Sequence, residues 1–259
     1  MQSWTLITGA SEGLGAEFAC IAAGEGRNLI LTARSEDKLS ALADKLRTDK
    51  VQIEVITADL SDLAQADAMW QSASKNRRID VLVNNAGLGR HGAFGDGQNW
   101  EREISSINVN VTALTLLAKR ASDHMQSHGG GIILNVASTA AFLPGPNMAV
   151  YHATKAYVLS LSEAVGEEMR GTGVTLSALC PGATQTEFFD GADMHGIALL
   201  KLAQPMDAAP VAQAGWDGAM KGRRIIVTGL MNKLFAFSPR IAPRRLVTFI
   251  AGKVMGKSS

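Results

Sequence analysis

The chain has 259 residues, 46% of them hydrophobic, enough to bury a sizeable core, and one α/β domain is the simplest use of that length. Its formal net charge of +1 supplies no global field that would attract nucleic acid. Two cysteines without CxxC spacing give no readable disulfide framework, and no segment reaches the roughly 18–20 uninterrupted apolar residues of a spanning helix.

The first element is the strand-like run WTLIT (4–8), with no basic leader or cleavage pattern, which predicts a soluble cytoplasmic protein without a signal peptide. TGASEGLG (8–15) follows and opens a helix near 14–25. Backbone NH groups and a helix dipole at such a turn can receive a pyrophosphate. Gly9 suits the tight turn, Gly13 lets a phosphate approach the backbone, and Gly15 lets the helix pack closely on the strand; Ser11, Glu12 and Leu14 complete the candidate cradle. The spacing is not the GxGxxG of the commonest dinucleotide fingerprint. The second strand, NLILT (28–32), ends at Ala33 and Arg34, where such a fold reads the adenosine ribose. An acidic residue there would accept from a 2′-hydroxyl, whereas a neutral and a cationic residue favour a 2′-phosphate, hence NADP(H) over NAD(H). After a helix near 36–48, the strand QIEVIT (52–57) leads to Asp59 and Leu60. Asp59 can accept from the adenine amine or N-cap the helix near 62–74.

DVLVNN (80–85) is the fourth strand and delivers Asn85, Ala86 and Gly87 to a strand-end crevice. A helical stretch near 99–127 precedes the fifth strand, GIILNVA (131–137), which ends on Ser138. The helix near 150–170 carries Tyr151 and Lys155, four positions apart and so on one face. VTLSALC (174–180) runs into Pro181 and Gly182, which suit a chain reversal, and then Thr184 and Thr186, whose hydroxyls can meet a carboxamide or phosphate; Thr186 is also a candidate N-cap. A weakly patterned stretch, 183–206, reads as a lid, followed by a helix near 207–219 and the strand RIIVT (224–228). Continuous apolar strands alternating with helices predict right-handed crossovers and a parallel sheet within residues 1–229. From Lys221 onward there are nine basic residues and no acidic one, which leaves the preceding chain at −8. The appendage 230–259, interrupted by Pro239 and Pro243, is thus basic and apolar, and docking on its own acidic body or on another subunit is favoured over peripheral membrane contact.

Five segments, TGxxxGxG at 8–15, VNNAG at 83–87, NVAS ending at Ser138, Tyr-x-x-x-Lys at 151–155 and PGATQTEF at 181–188, together resemble the short-chain dehydrogenase/reductases across residues 1 to about 190. The resemblance implies a single Rossmann-like, doubly wound domain with a seven-stranded parallel sheet. It also implies carbonyl/alcohol redox chemistry with a nicotinamide cofactor, and a homodimer or homotetramer. The family's catalytic serine, tyrosine and lysine match Ser138, Tyr151 and Lys155. Its asparagine falls within NVN, which offers Asn108 and Asn110; the following VTALTLLAK resembles the family's stretch after that residue and favours Asn110, although periodicity does not decide between them.

Reduction of a carbonyl leaves an oxygen that needs a proton, and Lys155 beside Tyr151 is expected to lower the phenol's pKa so that it can serve. Ser138 would hold the substrate oxygen, and by resemblance Asn110 would fix a water linking Lys155 to solvent. Phe94, Phe142, Leu143, Phe188, Met194 and Leu199 predict an apolar pocket for a bulky ketone or 3-oxoacyl compound. Tyr157 is assigned to packing, His152 points away from Tyr151, and His124 and His128 lack a third ligand, so no metal is expected. Two other functions fit the same residues: a nucleotide-sensing or scaffold protein without chemistry, and a lipid reductase associated with a membrane or an acyl carrier.

Overall fold

Each apolar run forms a strand and each helical pattern a helix, within about two residues of the expected place. The protein is described from a computed structural model over residues 2–95, 100–194 and 205–256. In chain order it runs β1 (Ser3–Thr8), α1 (Gly13–Gly24), β2 (Asn28–Ala33), α2 (Glu36–Leu46), β3 (Ile53–Thr57), α3 (Leu63–Ser74) and β4 (Arg78–Asn84). Then come α4 (Trp100–Ile107), a π-helical turn (Asn108–Ala113), α5 (Leu114–Ser127), β5 (Gly131–Val136), a 3-10 turn (Thr139–Phe142), α6 (Ala149–Glu168) and β6 (Val174–Cys180). The one-turn α7 (Phe188–Gly191), α8 (Ala208–Met220), β7 (Ile225–Val227), α9 (Leu230–Phe237), a 3-10 turn (Ser238–Arg240) and α10 (Arg244–Val254) complete the described elements.

The strands pair in the order β3-β2-β1-β4-β5-β6-β7, all parallel, a Rossmann-like α/β fold. Because successive side chains leave a strand on opposite faces, Leu6, Leu82 and Ile133 enter one layer with Trp70, Leu117 and Met125. Their neighbours Ile7, Val83 and Leu134 enter the other with Phe18, Leu39 and Trp216. Both faces being covered is why these strands read as unbroken apolar runs. The strand order reverses between β1 and β4, which opens a crevice at the carboxyl ends of the strands.

Buried polar groups stitch the same end together. Asn84 Nδ2 donates to the Leu114 carbonyl (3.1 Å) and to Asn135 Oδ1 (3.2 Å), and Asn135 Nδ2 donates to Ser162 Oγ (3.0 Å). This chain ties β4, β5, α5 and α6 to one another and fixes the helix that carries Tyr151. The appendage meets the body through small or slender side chains, Asn232 and Ala236 on α9 and Ala251 and then Met255 at the end of α10, while its large apolar residues face outward. The tail thus meets the body as expected, but through these contacts and not through charge: its side chains from Lys233 onward make no ion pair with a carboxylate among the described residues.

Candidate active site

The glycine turn is shaped by close approach. Gly9 has φ +62°, and a Cβ on Gly15 would overlap the Gly9 carbonyl oxygen, so α1 can start against β1 only with hydrogen there. The fourth-strand end braces this turn: Thr8 Oγ1 accepts from the backbone NH of Asn85 (2.9 Å) and Ala86 (3.0 Å). In return, Asn85 Nδ2 donates to the carbonyls of Thr8 (2.9 Å) and Gly9 (3.1 Å). Glu12 at the start of α1 is extended and caps no helix NH with its side chain, whereas Asp62 at the start of α3 accepts from Ala64 (2.9 Å) and Gln65 (3.5 Å). The α1 terminus thus keeps the donors that a pyrophosphate would use. Thr186 lies across from Gly13, where a Cβ would come 2.9 Å from its Cγ2, so the loop after β6 faces the glycine turn.

Ser138, Tyr151, Lys155 and Asn110 converge at the ends of β4 and β5. Ser138 starts the 3-10 turn, its Oγ accepting from Ala140 NH at 3.1 Å and donating to the Pro181 carbonyl at 3.5 Å, close enough to the Tyr151 phenol to act on its pKa. Lys155 is almost wholly buried; its Nζ donates to the Val136 carbonyl (2.8 Å) and lies 5.8 Å from the Tyr151 ring centroid. Asn110, in the π-helical turn and fully buried, accepts from Leu88 NH (2.9 Å) and donates to the Leu88 carbonyl (2.7 Å) and Thr154 Oγ1 (3.0 Å). Asn108 turns instead to the Ser61 carbonyl (3.1 Å). Gly87 completes the cradle, since a Cβ there would stand 3.2 Å from Lys155 Nζ and 3.3 Å from Asn110 Oδ1. These residues fit a nicotinamide cofactor lying along the strand ends.

The electrostatics differ from the expectation that Lys155 lowers the phenol. Burial pushes the Tyr151 phenol up to about 12, against the opposing hydrogen bond from Ser138, and lowers the Lys155 ammonium to about 8. Desolvation dominates for each group, opposed only by Ser138 at the phenol and by Cys180 at the ammonium. Cys180 nearby is pushed up to about 12 by burial and stays a thiol.

Several expected contributors resolve differently. Arg34 is exposed, with no hydrogen bond or ion pair among the described residues. One turn further along, Lys38, which sequence reading missed, holds Glu12 (2.7 Å) and Glu187 (2.9 Å); these carboxylates raise its pKa, and Glu12 first and then the Lys38 ammonium lower that of Glu187. Asp59 does not N-cap α3, a role taken by Asp62; its Oδ1 accepts from Ser61 NH and Oγ (2.9 and 2.8 Å). Leu60 is buried in the core. The hydroxyl of Thr184 donates to the Gly182 carbonyl (3.1 Å) and that of Thr186 to the Thr184 carbonyl (3.4 Å), so Thr186 does not cap a helix with its side chain. Tyr157, expected to pack, is exposed and hydrogen-bonds Thr115 (2.9 Å).

Of the apolar set, Phe188 stands 5.3 Å from Tyr151, ring centroid to centroid, and Met194 packs with Met148, Ala192 and Met255 beside them. Phe142 and Leu143 line a cavity of about 680 Å³ between the 139–146 loop, α6 and α10. Phe94 is exposed and joins neither group, and Leu199 lies outside the described residues. His124 and His128 stack at 4.1 Å, and among the described residues no cluster of three metal-ligating side chains occurs.

A glycine turn under a strand-end crevice, with a tyrosine, lysine and serine converging beside it, defines the class of nucleotide-dependent oxidoreductases. The match to the short chain dehydrogenase family covers residues 3–194, and the chain belongs to that family. It is 35% identical over 184 residues to a putative ketoacyl reductase of a monensin polyketide synthase from Streptomyces virginiae, covering 70% of each chain. It superposes on a short-chain dehydrogenase from Sphingobium yanoikuyae in complex with NADPH with a TM-score of 0.82 and 33% identity, covering 93% of both chains. A bulky-bulky ketone specific alcohol dehydrogenase from Comamonas testosteroni gives a TM-score of 0.77 at 32% identity, covering 89% of this chain and 90% of that one.

Proposed function

We propose that this protein is an NADPH-dependent carbonyl reductase acting on a bulky apolar ketone or a 3-oxoacyl compound. The observation that carries the reading is the meeting of Tyr151, Ser138 and Lys155 at the strand ends beneath the Phe188 ring. NADPH, when bound, supplies hydride to the carbonyl carbon. Tyr151 gives its proton to the carbonyl oxygen: the phenol O–H bond breaks and the alcohol O–H bond forms. With its pKa raised by burial, the phenol holds at neutral pH the proton that reduction requires. Ser138 holds the same oxygen beside the phenol, and the Lys155 ammonium offsets the phenolate left behind. Asn110, clamped to Leu88 and Thr154, keeps the Gly87 cradle open next to Lys155.

Arg34, exposed at the end of β2 with no carboxylate partner, supports the choice of a 2′-phosphate. Phe188 and Met194 support an apolar substrate, as do the ketone and ketoacyl specificities named for two of the relatives. The test is paired NADPH and NADH oxidation across bulky ketones and 3-oxoacyl thioesters, for the natural chain and for Tyr151→Phe. Turnover in the variant should fall by about a hundredfold or more with NADPH binding retained. Unchanged turnover would remove Tyr151 as the proton donor, and a preference for NADH would reverse the cofactor assignment.

A further inference from the structure

Thirteen large apolar side chains stand exposed among the described residues, and nine of them fall between residues 230 and 250: Leu230, Met231, Leu234, Phe235, Phe237, Ile241, Leu246, Phe249 and Ile250. Their distribution is organised by helix face. On α10, Leu246, Phe249, Ile250 and Lys253 follow the i, i+3, i+4, i+7 stripe that faces outward, while Val247, Thr248, Ala251 and Met255 sit on the docked side. On α9, Leu230, Met231, Leu234 and Phe235 face outward while Asn232 and Ala236 hold the helix to the body, Asn232 Nδ2 donating to the Thr228 carbonyl at 2.8 Å. A helix normally turns its large apolar side chains to the body; here α9 does the reverse, and α10 carries a second large apolar stripe on its outward side. An apolar surface of this extent marks an interaction site.

We propose that the outward faces of α9 and α10 dock on an anionic lipid surface. Charge complementarity chooses that occupant. Residues 221–259 contain nine cations and no carboxylate, and among the described residues Lys233, Arg240, Arg244, Arg245 and Lys253 pair with no carboxylate of the body. A two-fold contact between copies through this face would bring together two surfaces that both carry cations and no carboxylate. Anionic headgroups neutralise them while the interleaved Leu and Phe side chains enter the acyl boundary. The Lys253 ammonium already lies 5.7 Å above the Phe249 ring, a cation over an apolar base as an interfacial helix requires.

The surface also borders the candidate active site. At the end of α10, Met255 packs with Met148, Ala192 and Met194, against Tyr151 and Phe188, and its carbonyl lies 2.7 Å from His91 Nε2. The outward face thus lies one helix thickness from the apolar wall beside Tyr151. The docking does not depend on the redox reading, and its test is free of turnover.

The test is flotation of the full chain with phosphatidylcholine vesicles, with and without phosphatidylglycerol, at low and high salt, alongside the solution mass. The natural chain should float with the anionic vesicles only, and less at high salt. Phe249→Glu with Ile250→Glu, and separately Arg244→Glu with Arg245→Glu, should each lower binding by about tenfold or more. Unchanged thermal unfolding in the variants establishes that they fold. Equal flotation with phosphatidylcholine alone would overturn the anionic assignment. No flotation would overturn the proposal outright, and a solution mass that falls in Phe249→Glu with Ile250→Glu would identify the face as a contact between copies.

Discussion

Lys155 carries a charge held almost wholly out of water, with one carbonyl as its hydrogen-bond acceptor. Burial lowers it from an ordinary 10.5 to about 8, so between those pH values the unfolded chain binds more protons than the folded one. The contribution of this residue to stability is therefore unfavourable at neutral pH and improves as pH rises through that window. Lys155→Met should unfold at a higher temperature than the natural chain at neutral pH, by on the order of 1–3 kcal/mol, with the gap closing toward about pH 10. A gap that stays constant with pH would show that charge burial is not what the lysine costs. The pairing of Tyr151 with Lys155 was legible from four-residue spacing, because a helix fixes which positions share a face. The direction of the Tyr151 pKa was not, because desolvation depends on the Val136 strand end and the Phe188 ring, which come from distant parts of the chain.

The connection from β2 into α2 shows what an element adds to a residue. Arg34 stands free at its start, and Lys38, one helical turn on, spans Glu12 of the glycine turn and Glu187 ahead of α7. Arg34→Ala should lower kcat/KM with NADPH by about ten- to a hundredfold, the size of one charge-assisted contact of roughly 1.4–2.8 kcal/mol. With NADH the change should be under about threefold. Equal losses with both cofactors would mean that Arg34 shapes the turn instead of reading a 2′-phosphate. The β2 end was readable because position after a strand implies location in the fold. The partner Glu187 was not, being 149 residues from Lys38. Nor was the π-helical turn at Asn108–Ala113, since one widened turn barely disturbs the apolar stripe yet determines that Asn110, and not Asn108, faces Leu88 and Lys155.

At the scale of the molecule, strands buried on both faces announce themselves as continuous apolar runs, so the sheet was legible nearly to the residue. The tail was not, because α10 is apolar on both its docked and its outward stripe, and periodicity alone does not say which one meets the body. The same division separates stability from function. Trp216 is fully buried between α8 and the sheet, and its Nε1 donates to Glu25 Oε1 (2.9 Å), in the layer formed with α1. Trp216→Ala should cost about 3–5 kcal/mol and lower Tm by roughly 10 °C, while KM for the carbonyl substrate stays the same. Met255, by contrast, joins the tail to the cluster beside Tyr151 and Phe188, so Met255→Ala should cost about 2 kcal/mol or less and yet raise KM severalfold as that wall loosens. Thermal unfolding and steady-state kinetics on the two variants separate the effects. If Met255→Ala lowered Tm and left KM unchanged, the tail would be an attachment to the core alone, with no hand in shaping the substrate side of the site.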